Sequence, residues 1–88
     1  MTYRDWLDVF IALGADRVAT CPNCARGPIR WRFAANDDRI GFGVIWCEAC
    51  LKGARLSRVR IPDRFDTLPI SDIEEFSRGV PSIDFVED

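Results

Sequence analysis

Cys21-Pro22-Asn23-Cys24-Ala25-Arg26-Gly27 and Cys47-Glu48-Ala49-Cys50-Leu51-Lys52-Gly53 share one pattern. Each is C-x-x-C, then one residue, a base and a glycine. Two residues between cysteines let the chain turn so that both thiolates reach one ion, with backbone N–H groups pointing at the sulfurs. A glycine three places after the second cysteine can take positive φ and lead the chain out of the turn. Arg26 and Lys52 sit where they offset charge, because four thiolates around a divalent ion leave a net negative charge. Cys21, Cys24, Cys47 and Cys50 are therefore read as the ligands of one metal site.

Between the pairs lie 22 residues, Ala25 to Trp46, slightly more than the spacing of about 15–20 usual for this motif. A two-stranded hairpin accounts for the excess. Ile29-Arg30-Trp31-Arg32-Phe33 alternates strictly, with the apolar residues on one face and Arg30 and Arg32 on the other. Ala35-Asn36-Asp37-Asp38 reads as a turn. Phe42-Gly43-Val44-Ile45-Trp46 returns, with Phe42, Val44 and Trp46 facing one way. The expectation is that Trp31 and Trp46 share the buried face. A third strand runs from Ala54 to Ile61, and Pro62 ends it because proline cannot donate to the ladder.

Paired C-x-x-C knuckles at the two ends of a hairpin resemble the zinc-ribbon family, with rubredoxin-like knuckles on a short antiparallel sheet. The resemblance spans Thr20 to Ile61 and is at module level. It departs from the closest knuckles at Ala25, where glycine often follows the second cysteine directly. It implies an α+β metal-stabilised domain with a three-stranded antiparallel sheet. The implied cofactor is one structural Zn²⁺. Two readings stay open beside it: iron in a rubredoxin-like electron carrier, and disulfides or redox thiols. A site whose four ligands are all cysteine has no open position for water or substrate. The sequence also has no His and no cysteine outside the two pairs, so no nucleophile–base constellation is visible. The expectation is that the protein is not an enzyme.

Outside the ribbon, Thr2 with Asp5 reads as a capping box. Tyr3, Trp6, Leu7, Phe10 and Ile11 follow at helical spacing, giving an amphipathic helix over 2–13 that Gly14 stops. Ser71-Asp72-Ile73-Glu74 reads as a second capping box, opening a short helix over 72–78 before Gly79 and Pro81. The whole, 1–88, reads as a single zinc-ribbon domain, with ribbon core 17–61 and C-terminal segment 62–88. The first residues carry an early acid and no long apolar run, unlike a secretory signal. No stretch reaches the roughly 18 apolar residues of a membrane span. A cytoplasmic protein is expected, in a reducing compartment where paired cysteines hold metal more often than disulfides.

Charge divides the function between two readings. Residues 26–60 carry eight basic and three acidic side chains, whereas 61–88 carry two basic and eight acidic. The first reading is a protein-interaction or regulatory module. Net acidity supports it, with an acidic tail in which Ile83, Phe85 and Val86 alternate with carboxylates and could dock on a partner. The same tail could instead pack on its own domain. The second reading is a nucleic-acid-binding ribbon using Arg30, Arg32, Arg55, Arg58 and Arg60 as a phosphate-binding face. Pairing of basic hairpin and acidic tail between two copies would give a homodimer.

Overall fold

In a computed structural model, which describes residues 2–86, the order of elements is α1 (Tyr3–Gly14), β1 (Ile29–Ala35), β2 (Ile40–Cys47), β3 (Lys52–Arg60), β4 (Leu68–Pro69), α2 (Ile73–Arg78) and β5 (Asp84–Phe85). The first helix starts where the sequence provides the bonds. The Thr2 hydroxyl accepts from the Asp5 amide at 3.3 Å, and the Asp5 carboxylate accepts from the Thr2 amide at 2.8 Å. Its C-terminus is not made by Gly14. Asp16 takes the left-handed conformation (φ 58°), and the Arg17 amide bonds back to Ala12. At α2 the expected capping box is not made: Asp72 stands at the N-cap with no side-chain cap bond.

β1, β2 and β3 form an antiparallel meander. The sheet is nevertheless not the three-stranded antiparallel one expected. It is five-stranded and mixed, in the order β4-β1-β2-β3-β5. β4 adds parallel to β1 at Ala34 and Ala35, and β5 adds parallel to β3 at Lys52 and Gly53. Both additions come from the C-terminal segment, which has no strand periodicity of its own. β3 also begins two residues earlier than expected, directly after the second cysteine pair. It is interrupted by a bulge in which Arg58, at φ 54°, is the extra residue between Ser57 and Val59.

The sheet is covered on both faces. One core joins Trp6, Val9, Phe10 and Leu13 of α1 to Ile29 and Phe33 of β1, Ile45 of β2, Leu56 of β3, and Ile61 and Phe65. The helix stripe is therefore Trp6, Val9, Phe10 and Leu13, while Ile11, expected on it, is 57 % exposed. The second core holds Ala34, Val44, Trp46 and Phe76, with Phe42, Leu68, Val80, Ile83 and Phe85 against it. Trp31 packs on the first core and Trp46 lies in the second. Their expected common face is corrected by the register: Trp31 pairs with Ile45, and Arg30 with Trp46. Paired residues point to the same side of a sheet, so Trp46 shares the face of Arg30 and Arg32.

Phe65 joins the aromatics of the first core. Its ring centroid lies 5.0 Å from Phe33, 5.1 Å from Trp31 and 6.2 Å from Phe10. Arg39, at the end of the hairpin turn, holds the backbone that carries it. Its guanidinium donates to the carbonyls of Ile61, Pro62 and Phe65, and its own carbonyl accepts from the Ile61 amide at 2.7 Å.

Candidate metal centre

The two C-x-x-C turns have the same local structure. In each, the residue after the second cysteine bonds back to the carbonyl of the first, Ala25 N to Cys21 O at 3.0 Å and Leu51 N to Cys47 O at 2.9 Å. Each of those residues takes positive φ, 54° at Ala25 and 57° at Leu51. The left-handed turn is thus made without glycine in both knuckles, at a conformational cost of about 1–2 kcal/mol per residue. The two glycines further on serve different ends. Gly27 takes φ 58° and leads into β1. Gly53 lies within β3, where a Cβ would stand 2.1 Å from the Ile45 carbonyl oxygen; there glycine permits close approach of strands.

The hairpin register pairs Ile29 with Cys47, bringing the second knuckle beside the start of β1 and so beside the first. All four Sγ atoms lie within 4.8 Å of one another. Cys21 and Cys50 are 3.6 Å apart, as are Cys24 and Cys47. A disulfide needs sulfurs at about 2.05 Å, so the four are free thiols. Cys21 and Cys47 are buried, and Cys24 and Cys50 are half-buried. Backbone amides aim at the sulfurs: Asn23 and Cys24 donate to Cys21 Sγ at 3.3 and 3.4 Å, and Arg26 donates to Cys24 Sγ at 3.4 Å. These donors stabilise thiolate charge. The cluster could hold a metal ion, with all four ligands from this chain.

The thiols divide electrostatically. At Cys50 burial acts to raise the pKa. The Asn23 side chain and the Lys52 amide, with Cys21 and Cys24, outweigh it and bring the thiol down to about 6. At Cys24 the Arg26 amide acts to lower it. Burial and the three neighbouring thiols outweigh that donor and push it up to about 12. One proton leaves the cluster easily and another is held, as expected when four acidic groups share one site. Lys52 is a base that feels this charge. Its ammonium is held mainly by Asp84, at 2.7 Å, with the Cys50 charge adding to the effect. Arg26 is exposed.

The five arginines singled out in the sequence do not form one open face. Arg30 is exposed and pairs with Glu48 at 3.2 Å. Arg32 is half-buried under α2, bonded to the Glu75 carbonyl at 2.8 Å and paired with its carboxylate at 3.6 Å. Arg55 lies 4.0 Å above the Phe85 ring. Arg58 is exposed on the bulge, and Arg60 pairs with Asp63 at 3.8 Å.

The tail residues are also engaged with their own chain. Ile83 and Phe85 pack on the second core, and Val86 packs on the first. The Asp84 amide donates to Leu51 O and the Val86 amide to Gly53 O. Glu87 and Asp88, the acidic end of that segment, lie outside the described residues. What sequence reading missed was Phe65 and Arg39, and the pairing of the tail with the second knuckle. No helix among the described residues is long and apolar enough to cross a membrane. Comparison with protein-family models, with curated proteins and with solved structures finds no match to this chain.

Proposed function

We propose that this protein is a small zinc-binding protein-interaction module in which one Zn²⁺ joins the two knuckles and serves structure. The observation that carries the metal is the spacing of the sulfurs. Four thiolates at the zinc–sulfur distance of about 2.3 Å in a tetrahedron stand about 3.8 Å from each other. The 3.6 Å separations are close to that edge length. Zinc would draw on Cys21, Cys24, Cys47 and Cys50, and the amides of Asn23, Cys24 and Arg26 would stabilise the thiolate charge. Bound there, zinc supplies a cross-link between the ends of the hairpin. Four cysteine ligands leave no open coordination position, so the proposed role is not catalytic.

Interaction with protein is preferred to nucleic acid because arginines of the expected basic face are engaged. Arg32 is half-buried under α2 and paired with Glu75, and Arg55 stacks on Phe85. The net charge of −2 works in the same direction. A pull-down with zinc-loaded protein, with and without nuclease, separates the readings. Partners that persist after nuclease support the module. Partners that all vanish would transfer the proposal to nucleic acid.

A further inference from the structure

Among the described residues, none pairs with part of the sheet's long edge along β1. At the two ends of the β1–β2 ladder, the Glu48 amide donates to Pro28 O and the Asn36 amide to Ile40 O. Antiparallel ladders bond at every second residue. The register is continuous between those ends, so even-numbered residues of β1 bond to β2. The odd-numbered ones turn their amides and carbonyls outward. β4 meets β1 only at Ala34 and Ala35. The backbone groups of Ile29 and Trp31 are therefore left on the outer edge. Two clefts of about 260 and 250 Å³ run along the same stretch, one lined by residues 29–31 and the other by 31–33 and 66–68. They share Trp31, whose side chain is half-buried between them.

An edge with unpaired backbone groups accepts an extended polypeptide. The side chains select which one. A second copy of the same edge is disfavoured: antiparallel pairing about Trp31 sets Arg30 against Arg32 of the copy, and parallel in-register pairing sets each arginine against itself. Like charges directly opposite destabilise a strand pair. Among the described residues Arg30 is held by Glu48 alone, and both side chains are more than half exposed. Such a pair is weak and exchanges readily. A carboxylate on an incoming strand can replace Glu48 while its neighbours, pointing the other way, lie beside Ile29 and Trp31.

We propose that the outer edge of β1 at Ile29–Trp31 is a docking site for an extended peptide that alternates acidic and apolar residues, with a carboxylate opposite Arg30. This rests on the interaction-module reading and names the chemistry of the partner. The probe is acetyl-Val-Glu-Val-Glu-Val-amide titrated into the zinc-loaded full chain, followed by backbone amide NMR. Shifts are expected to concentrate on the amides of Ile29 to Phe33. The same peptide with lysine in place of glutamate binds roughly tenfold more weakly, and N-methylation of its alternate amides abolishes binding. Arg30→Glu changes an exposed side chain, so the fold is retained, and it reverses the preference between the two charged peptides. Absence of shifts on β1 with every peptide, or equal binding of the two charged forms, overturns the proposal. If partners persist after nuclease but peptide leaves β1 unshifted, the edge assignment fails and the module reading stands.

Discussion

Removing the Phe65 ring tests whether the unpatterned segment after Pro62 is structural. Phe65 is 2 % exposed and touches three aromatic rings, on α1 and β1. Phe65→Ala removes that burial and leaves a cavity, a change that costs about 3–5 kcal/mol in packed cores. The aromatic pairs contribute within that figure, since each adds about 0.5–1.5 kcal/mol beyond area. In a domain of this size 1 kcal/mol moves the melting temperature by about 4–8 °C. The expected fall is thus on the order of 12–40 °C, read by circular dichroism on zinc-loaded protein. Phe65→Leu, which keeps most of the apolar volume, should lose much less. A Phe65→Ala protein melting within a few degrees of the parent would refute the reasoning, because the segment would then only drape over a core that α1 and the sheet complete.

Arg39→Ala removes the donor to three loop carbonyls; allowing for partial exposure, the expected loss is about 2–4 kcal/mol, read by chemical denaturation. Deleting residues 82–88 removes β5 and the half-buried Ile83 and Phe85. Metal content should be unchanged, while the emission of Trp46 should shift to the red as its cover is lost. The same deletion removes Asp84, Glu87 and Asp88 and moves formal net charge from −2 to +1. Tight, salt-dependent DNA or RNA binding by the truncated protein would favour a masked nucleic-acid binder over the interaction module. Acid should release the metal. The folded Cys50 thiol is depressed to about 6 from an ordinary 9.0, so its contribution is fully present above the ordinary value and is lost as pH falls through about 6. Protons compete with metal at every cysteine. A chromophoric chelator should capture zinc progressively as pH falls, and zinc capture that does not change with pH would contradict the thiolate site.

The cysteine cluster and the central meander were legible because local rules specify them. C-x-x-C spacing brings two sulfurs together, and the alternation from Ile29 to Phe33 needs no knowledge of distant residues. The relation of Trp31 to Trp46 was not legible, although the alternation within each strand was read correctly. It depends on how many residues the turn holds, and a shift of one exchanges the faces of a whole strand. Asn36 sets that turn: its side-chain oxygen accepts from the Asp38 and Ile40 amides, both at 3.0 Å. Phe65 was hidden for another reason. It lies in neither helix nor strand, and its position comes from carbonyls held by Arg39, 26 residues earlier in sequence. The parallel pairings of β4 and β5 are two residues long, too short for any period to register. Ala25 and Leu51 illustrate the converse, since the knuckle imposes positive φ on residues whose identity does not advertise it.

The central claim is that Cys21, Cys24, Cys47 and Cys50 hold one zinc ion that fastens the hairpin. Elemental analysis of the purified protein, with Cys47→Ser in parallel, tests it most directly. The account predicts about one equivalent of zinc per parent chain and loss of that zinc, together with most of the cooperative melt, in the variant. Iron in place of zinc, or a metal-free parent that melts as cooperatively as a zinc-loaded one, would contradict it.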